Sequence, residues 1–437
     1  MSPQPSSLLS FAVLAIGDEV LRGEVINGNA AFLSDLAFGL GLVPGEHAVV
    51  ADEPEIMSAA LSRLCAAHQI VFVTGGLGPT EDDRTVDVVS GMLGVPPEIH
   101  GPSREAMRLR FERHNFILTP NNERQVRIPQ GAEPLQNPVG LAPGFCVSIA
   151  GASVFFMPGV PREMNRIFDD HVVPRIKAAI LAVGGMPTLV RTWHVYGMGE
   201  SHIDHRLAGL VDGIANVSLH YRAAQTECHV RMVMRHLPTE QAASEAKATI
   251  DGLEKQVMER LGDAVYGVAE DTFALVVQRA FAKQGKTLAF AESCTGGYAG
   301  QLFSEEPGAS RVFVGSIVSY ANAVKTKVLG VPQAVLDEHG AVSEVCAALM
   351  AQGARRVLEA DIAVSITGIA GDSRDGTTRP ADVAGQKPVG TVCFGIATAS
   401  GTRTESRLIS GGRERIRRAA AYAALDLARR ALLDLGA

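Results

Sequence analysis

Short apolar segments alternate with amphipathic stretches over the first third of the chain. Three of these segments are typical of buried strands, namely FAVLAIG, HAVVAD and IVFVTGG. Apolar residues at helical spacing predict helices over 30–39 and 56–67, one in each interval between these strands. Because such alternation is typical of a parallel sheet covered by helices, residues 1–173 are predicted to form an α/β domain. Its ligand crevice is expected beyond the carboxyl ends of the strands.

The pattern changes twice further along the chain. Over 174–264, the alternating strands NVSLHYR and ECHVRMVMR and a long helical stretch predict a small α+β module. Over 265–437, the strand TLAFAES and further βα units around VGSIVSY, ADIAVSITG and VGTVCFGIAT predict a second α/β domain, closed by a helix over 414–435. The expected fold class is therefore α/β, with two α/β sandwich domains of mainly parallel sheets joined by the small module.

Composition narrows the function classes. A length of 437 residues fits about three domains of roughly 150 residues each. The formal net charge of −7 argues against an extended nucleic-acid surface. The chain start has no basic region, and no apolar run reaches about 18 residues, so neither a signal peptide nor a membrane span is expected. Six scattered cysteines without a CxxC pair predict reduced thiols in the cytoplasm.

The strongest chemical signal lies where the strand TLAFAES ends. Ser293 stands in the string AESCTGG, so its hydroxyl is expected at the sheet edge. Backbone N–H groups of the glycine-containing turn would face outward there, at the positive end of a helix. A nucleophile and a place for an anion would then coincide. Alternatively, Ser293 is the N-cap of the helix and the glycines only allow tight packing.

Two further strand ends are expected at the same edge. In SYANAVK, Tyr320 closes a strand and Lys325 follows in the next helix. A lysine activates a serine only when it is neutral, and a tyrosine can relay or orient the proton; a solvated helix lysine is the alternative. In SITGIAG, the residues Thr367 and Gly368 would let substrate approach the backbone and offer N–H groups to an oxyanion. Alternatively, the glycines of that string only form the turn.

The last predicted helix begins after SGGR. Arg413 therefore places a cation near a helix start that favours anions. Arg415, Arg417 and Arg418 follow and are predicted to form a solvated face.

Acidic and glycine-rich loops are expected to converge on the edge of the first sheet. They are GDE at 17–19, the pair Asp52-Glu53, and TGGLGPTEDDR at 74–84. Glycine-rich turns expose N–H groups to phosphate oxygens, and carboxylates beside them suit a hard divalent cation. A pyrophosphate is therefore the expected guest. Single residues such as Asp18 or Asp52 are alternatively helix caps, an interpretation that fits the clustered Asp82-Asp83 less well.

Six strings of the last segment, AESCTGG, SYANAVK, GAVS, ITGIAG, KPVGTV and SGGR, resemble in order and spacing the CinA C-terminal domain family. Members of that family include nicotinamide mononucleotide (NMN) deamidases. The resemblance implies hydrolysis of NMN to nicotinic acid mononucleotide and ammonia without a metal, with Ser293 as nucleophile and Tyr320 and Lys325 as proton-handling partners. The substrate-binding residues that it implies are Thr295, Gly296, Gly297, Thr367, Gly368 and Arg413.

The chain departs from that family in one loop. The segment 372–386 after ITGIAG is longer than is usual there, and Asp372 stands where proline is common. Such a loop would either cover the site or be a tolerated surface insertion.

The first segment resembles the molybdopterin-binding-like domain of full-length CinA proteins through GDEVLRGEVINGNAAFL, TGGLGPTEDDRT, NPVGLAPGF and MPGVPREM. Some relatives hydrolyse ADP-ribose to AMP and ribose 5-phosphate with a divalent metal. The resemblance implies Asp83 as a catalytic residue with Mg²⁺, Mn²⁺ or Co²⁺, and leaves open whether K⁺ assists. The implied metal-associated residues are Asp18, Asp52 and Asp82, and the implied substrate-binding residues are Gly75, Gly76, Thr80, Asn29 and Asn121. Leu141 stands where the family often has threonine, which removes a hydroxyl near the ligand.

The middle segment shows no catalytic cluster. His202 and His205 lie three residues apart on a predicted helix, a spacing compatible with a metal, but a surface role is favoured because no further ligand is evident. In the family this module resembles a KH fold, and the GxxG loop that would clamp RNA is absent. The module is expected to be a spacer and oligomer contact in a homodimer.

The leading expectation is a cytoplasmic enzyme of pyridine-nucleotide recycling with two sites, one for NMN and one for ADP-ribose. No membrane and no direct nucleic-acid contact are expected. The rival expectation is a recruitment partner in competence or DNA-damage responses, after which CinA proteins are named.

Overall fold

The structure is a computed structural model of the chain, and the residues that it describes are 9–185, 187–224, 226–235, 240–371 and 387–434. The loop at 372–386, with Asp372, lies outside the described residues. Internal contacts divide the chain into two compact units, which are Met1–Val190 with Gly213–Ser218 and Val233–Leu253, and Arg191–Asp212 with Leu219–Met232 and Glu254–Ala437. The predicted boundaries after residues 173 and 264 stay predictions. No helix in the described part of the chain is long and apolar enough to cross a membrane.

The strands are numbered in chain order: β1 Ser10–Ile16, β2 Val43–Val50, β3 Ile70–Thr74, β4 Pro97–Ile99, β5 Arg127–Pro129, β6 Glu133–Leu135, β7 Gly144–Ile149, β8 Ala152–Met157, β9 Leu189–Tyr196, β10 Val217–Ala223, β11 Glu227–Met234, β12 Val265–Val268, β13 Leu288–Glu292, β14 Phe313–Val318, β15 Ile362–Gly368, β16 Thr391–Thr398 and β17 Gly401–Leu408.

The α-helices are α1 Asp18–Leu21, α2 Gly28–Leu40, α3 Pro54–Ala67, α4 Thr85–Leu93, α5 Gly101–Arg113, α6 Pro161–Ile167, α7 Val173–Ala182, α8 Glu200–Leu207, α9 Glu240–Leu261, α10 Phe273–Gln284, α11 Tyr298–Ser304, α12 Asn322–Lys327, α13 Gln333–His339, α14 Glu344–Leu358 and α15 Arg413–Asp434.

The first sheet has six strands in the order β2-β1-β3-β8-β7-β6. The pairs among β2, β1, β3 and β8 are parallel, and β7 and β6 complete the sheet in antiparallel pairs. Because alternate strand residues face opposite sides, neighbours such as Phe72 and Val73 belong to separate apolar cores, one on each face. The parallel strands β1 and β3 end at Ile16 and Thr74, where the acidic and glycine-rich loops begin.

The middle sheet has four strands in the order β10-β11-β9-β12. Strand β9 pairs with β12 in antiparallel fashion, with His194 opposite Gly267. The central strands are well buried, and Trp193 on β9 has no exposed surface.

The last sheet has five strands in the order β14-β13-β15-β16-β17. Strand β13 lies between β14 and β15 and is parallel to both, whereas β16 and β17 are antiparallel to their neighbours. Side chains of α10, α11 and α15 pack on one face around Phe290, and α14 covers the other face around Ala289 and Met350. The carboxyl end of β13 is therefore flanked by two further strand ends, as the sequence predicts.

The α/β fold class with mainly parallel sheets is confirmed, and most predicted helices differ from the observed ones by one or two residues. One predicted element is wrong. The segment VGTVCFGIAT is not a βα unit, because β16 turns directly into β17 at Gly401. The six cysteines are free thiols, as predicted.

Close packing of α14 gives a test of the last domain. A Cβ added at Gly353 would lie 2.1 Å from the backbone oxygen of Leu329. Gly353→Ala is expected to destabilise the domain by about 1–3 kcal/mol, because a backbone atom cannot move aside cheaply. The matched control is Gly252→Ala on α9, where a Cβ would meet nothing within 4 Å and should stabilise by about 0.5–1 kcal/mol. Thermal unfolding of both variants measures this, and an unchanged melting temperature for Gly353→Ala would contradict it.

Candidate active site

Ser293 follows β13 directly and is fixed by both neighbouring strands. Its N–H donates to the carbonyl of Ile366 on β15 at 2.9 Å, and the carbonyl of Glu292 before it accepts from the N–H of Ser319 at 2.7 Å. Ser293 is 9% exposed, so it lies at the boundary of the core. Helix α11 begins later, with Gly297 as its N-cap residue and without a side-chain cap. The structure therefore excludes the interpretation of Ser293 as the helix cap.

The side chain of Lys325 reaches Ser293 from α12. Its Nζ lies 3.0 Å from Ser293 Oγ, 2.7 Å from the carbonyl oxygen of Ser319 and 3.3 Å from that of Tyr320. Lys325 is 1% exposed, and burial lowers the pKa of its amine below the ordinary value. In the described part of the chain, no carboxylate forms an ion pair with this amine. The interpretation of Lys325 as a solvated helix lysine is therefore wrong.

An ammonium group can donate to all three of these oxygens, and a neutral amine can also make the three contacts if Ser293 donates to it. A neutral amine has two hydrogens and one lone pair, whereas an ammonium group has three hydrogens and cannot accept. The two hydrogens can point to the carbonyls of Ser319 and Tyr320. The lone pair is then left for the hydroxyl proton of Ser293. The arrangement suits the activation of a serine by a lysine base.

Glu292 is a central residue that sequence reasoning missed. Its carboxylate has no exposed surface and accepts from the N–H groups of Gly297, Ala299 and Gly300 at 2.8–3.0 Å. It also accepts from the hydroxyl of Ser316 at 2.7 Å. The predicted anion site at the start of α11 is therefore wrong, because an internal carboxylate already occupies the positive end of the helix.

Two backbone donors in the loop between Ser293 and α11, the N–H groups of Cys294 and Thr295, have no acceptor within the described residues. The N–H of Gly296 donates to the carbonyl of Ser293, and that of Tyr298 to the carbonyl of Thr295. The N–H of Thr295 has no acceptor within the described residues, and its hydroxyl is buried without a partner. Thr295 as a whole has no exposed surface, so its hydroxyl is not open to substrate.

Arg417 on α15 supports the same loop. Its guanidinium donates to the carbonyl of Thr295 at 2.7 Å, and a Cβ added at Gly296 would lie 3.5 Å from it. The prediction of a solvated face is therefore wrong for Arg417. Gly296 and Gly297 have φ of 63° and 97°, which glycine adopts without strain.

The phenol of Tyr320 does not contact the side chain of Ser293 or Lys325 in the described structure. Tyr320 is 60% exposed, and its hydroxyl accepts from the guanidinium of Arg413 at 3.1 Å. Only the backbone carbonyl of Tyr320 contacts Lys325. The structure thus brings Tyr320 and Arg413 together, but it does not place the phenol where it can pass a proton to Lys325.

Thr367 and Gly368 are the last two residues of β15, and Gly368 packs against the loop that follows Ser293. The Thr367 hydroxyl is fully buried and donates to the carbonyl of Ala341 at 2.8 Å. A Cβ added at Gly368 would lie 3.1 Å from Cys294 Sγ. The hydroxyl of Thr367 is thus unavailable to substrate, and glycine at 368 is explained by packing.

The N-terminal candidates gather in two groups. At the end of β1, the carboxylate of Asp52 accepts from the N–H of Asp18 at 3.0 Å. Burial, followed by the charges of Glu19, Asp18 and Asp82, raises the pKa of Asp52 although that hydrogen bond lowers it. After β3, Asp83 accepts from the N–H and the hydroxyl of Thr80 at 2.9 and 2.5 Å.

The predicted metal ligands do not meet. Of the described His, Cys, Asp and Glu side chains, only one group of three has ligand atoms within 4.8 Å of one another, and it contains none of Asp18, Asp52 and Asp82. Asp18 is instead paired with Arg22 at 3.0 Å. The donors are nevertheless all carboxylate oxygens, which is the set that a hard divalent cation prefers.

A pocket lies beside Asp83. It is lined by Gly76, Gly78, Asp83, Arg124 and Arg127, among others. The Nε atoms of both arginines are buried without a hydrogen-bond partner. Their terminal nitrogens are paired with Asp87, at 3.5 Å for Arg124 and 3.2 Å for Arg127. The pocket is therefore lined by cationic side chains that the sequence analysis did not single out.

The remaining N-terminal candidates have structural contacts. A Cβ added at Gly75 would lie 2.1 Å from the backbone oxygen of Ile16, so the close approach of two strand ends requires glycine there. The amide of Asn29 donates to the carbonyl of Gly159 at 2.7 Å. Asn121 accepts from the hydroxyl of Thr119 at 2.5 Å.

Three family models match successive parts of the chain. They describe a probable molybdopterin binding domain at residues 12–178, the damage-inducible protein CinA KH domain at 190–267, and the CinA C-terminal domain at 270–432. A CinA-like protein of Anaeromyxobacter sp. (strain Fw109-5) is 40% identical over 426 residues, which cover 97% of this chain and 99% of that protein. The chain belongs to the CinA family.

Two further similar proteins are a curated relative and a solved structure. A CinA-like protein of Geobacter sulfurreducens is 38% identical over 97% of this chain and 100% of its own length. The crystal structure of a CinA protein of unknown function from Thermoplasma acidophilum is 30% identical, with a TM-score of 0.35, and covers 39% of this chain and 98% of its own. The resemblance to the CinA family is confirmed, and the KH-like module lies between the two α/β domains.

The buried carboxylate of Glu292 allows a test of what holds residues 293–300 in place. Glu292→Gln keeps the size of the side chain but turns an NH₂ group toward N–H donors. It is expected to cost about 1.5–3 kcal/mol and to loosen residues 293–300. Denaturant unfolding and amide hydrogen exchange measure both effects. Glu305→Gln, at the exposed C-terminal end of α11, is the matched control. Unchanged protection of 296–300 in Glu292→Gln would show that the carboxylate does not hold the loop.

Proposed function

We propose that the C-terminal domain of this CinA protein hydrolyses the carboxamide of NMN to nicotinic acid mononucleotide and ammonia. The observation that carries the proposal is the contact of 3.0 Å between the buried Lys325 amine and Ser293 Oγ. A buried amine without a carboxylate partner is neutral more readily than a solvated one, so it can act as a base near neutral pH.

The proposed reaction proceeds through an acyl-enzyme on Ser293, with Lys325 carrying the proton between steps. Ser293 Oγ attacks the carboxamide carbon while Lys325 accepts the hydroxyl proton. The same proton then passes from Lys325 to the departing nitrogen, which leaves as ammonia. Water, deprotonated by the neutral amine, cleaves the acyl-enzyme and releases the carboxylate product. The unused N–H of Thr295 is the donor that we assign to the developing oxyanion.

The exposed groups fit a nucleotide. Arg413 and Tyr320 form a polar pair at 3.1 Å, and the guanidinium can contact a phosphate while the phenol contributes an aromatic face. In this proposal Tyr320 binds substrate and does not relay the proton. No metal takes part in this acyl transfer.

We also propose that the N-terminal domain hydrolyses the pyrophosphate bond of ADP-ribose. The support is the pocket in which Asp83 lies beside Arg124, Arg127 and the glycines Gly76 and Gly78. The arginines would neutralise phosphate charge. A bound Mg²⁺, Mn²⁺ or Co²⁺ would polarise the pyrophosphate and activate water, and Asp18, Asp52 and Asp82 are the residues that would hold it. A role for K⁺, a homodimer and a cytoplasmic location stay predictions.

The serine–lysine pair predicts a specific kinetic pattern. Ser293→Ala and Lys325→Met should each lower ammonia release from NMN by about 10³-fold or more, since each removes a reacting group. Lys327→Met, an exposed lysine on the same helix, is the matched control and should be unchanged. In the parent protein, kcat/KM should rise as pH increases through the lowered pKa of Lys325, because only the neutral amine accepts a proton.

Two outcomes would contradict the proposal. Equal rates in Ser293→Ala and the parent protein would remove Ser293 as nucleophile. A parent protein inactive on NMN would favour the recruitment role suggested by the names of relatives such as the competence damage-inducible protein of Klebsiella pneumoniae.

The N-terminal site has its own test. ADP-ribose turnover should require an added divalent metal and fall sharply in Asp83→Asn, which keeps the shape of the side chain but removes its charge. Asp263→Asn, in the turn after α9, is the control and should leave turnover unchanged. Formation of AMP is followed by chromatography. ADP-ribose turnover that persists when a chelator is present would contradict the proposal that Asp18, Asp52 and Asp82 hold a required divalent metal.

A further inference from the structure

Two histidines and a glutamate meet on the middle sheet, and none of them belongs to either proposed active site. His229 Nε2 lies 2.8 Å from Glu227 Oε1, and the rings of His194 and His229 are 4.2 Å apart between centroids. One potential ligand atom from each of the three residues lies within 4.8 Å of the other two. The side chains come from neighbouring strands β9 and β11, and Glu227 and His229 share one face because they are two residues apart on β11.

His194 presents a lone pair to this cluster. Its Nε2 lies 2.8 Å from the carbonyl of Ala269, so Nε2 carries the proton and donates it. Its Nδ1 lies 3.2 Å from the hydroxyl of Tyr266, but that hydroxyl donates to Glu227 Oε2 at 2.5 Å. Nδ1 is left with a lone pair, and no other donor to it is found among the described residues. A histidine whose other nitrogen donates to a backbone carbonyl is the usual arrangement of a metal ligand.

The ionisation states of His194 and Glu227 also suit metal binding. Burial lowers the pKa of His194, so its imidazole is neutral. Burial alone would raise the pKa of Glu227, but the hydrogen bonds from His229 and Tyr266 outweigh it and the pKa lies below the ordinary value. A carboxylate and a neutral imidazole are the forms that bind metals.

We propose that His194, Glu227 and His229 form a binding site for a d-block dication of the Zn²⁺ type, independent of the NMN and ADP-ribose activities. Two imidazoles and one carboxylate are a ligand set that zinc accepts, whereas Mg²⁺ prefers oxygen ligands. A bound ion would join β9 to β11 and stabilise the folded chain by an amount that grows with the logarithm of the free ion concentration above the Kd.

Arg222 controls access to His229. Its guanidinium donates to His229 Nδ1 at 2.8 Å, so the ring proton lies on Nε2 and is donated to Glu227. Metal binding at Nε2 therefore requires that proton to move to Nδ1 and Arg222 to leave. Arg222 is exposed and free to turn into solvent. The number of protons on the ring does not change.

The test uses the full chain and Zn²⁺ alone as the probe. Zinc affinity is measured by competition with a chromogenic chelator, with excess Mg²⁺ present to fill oxygen-rich sites. We expect one equivalent of Zn²⁺ to bind, and Co²⁺ in its place to give the visible absorption of a tetrahedral site. His229→Gln and Glu227→Gln should each weaken zinc binding at least about tenfold. His202→Gln, an exposed histidine on α8, is the matched control and should bind like the parent.

Arg222→Gln separates loss of the site from misfolding. Removing the guanidinium frees His229 Nδ1 to carry the proton, so this surface variant should bind Zn²⁺ more tightly than the parent chain. Unchanged or weaker binding in Arg222→Gln would overturn the assignment of His229 Nε2 as a ligand. A parent protein that binds no zinc under these conditions, or binds it as well as His229→Gln does, would overturn the site itself.

Discussion

The burial of the Lys325 amine is the constraint on which the candidate active site depends. A cation kept from water without a carboxylate partner costs several kcal/mol, so the folded chain favours the uncharged amine. The carbonyls of Ser319 and Tyr320 are then sufficient partners for its hydrogens. Both carbonyls are placed by the end of β14, which is itself tied to β13 through Ser319 and Glu292. The sheet therefore fixes the geometry together with the burial that lowers the pKa of Lys325.

Sequence reasoning predicted the meeting of Ser293 and Lys325 because it follows from topology. Parallel strands joined by a helix have their carboxyl ends at one edge, and β13 and β14 are such a pair. The direction of single side chains after the strands end could not be predicted in this way. Strand alternation stops at Val318, and the phenol of Tyr320 turns to Arg413 while its carbonyl turns to Lys325.

Glu292 and the histidine cluster show a second limit. The sequence shows that Glu292 ends a strand, but not that α11 begins where its carboxylate can accept three N–H groups. His194 and His229 come from strands far apart in the chain, and their proximity depends on strand order in the middle sheet. Spacing along one helix singled out only His202 and His205, for which a surface role was favoured, and the fold leaves both exposed. The N-terminal carboxylates likewise lie near each other without converging as ligands.

Ser293 and Lys325, the proposed nucleophile and base, both belong to a single β–α–β–α segment, from β13 through α11 and β14 to α12, and are 32 positions apart. The groups around them come from elsewhere, since Arg413 and Arg417 lie on the final helix. In the proposed mechanism, the reacting pair and the arginines that face it are thus encoded in separate stretches of sequence. Substitutions on the final helix can therefore change the contacts available to a substrate without rebuilding the serine–lysine pair.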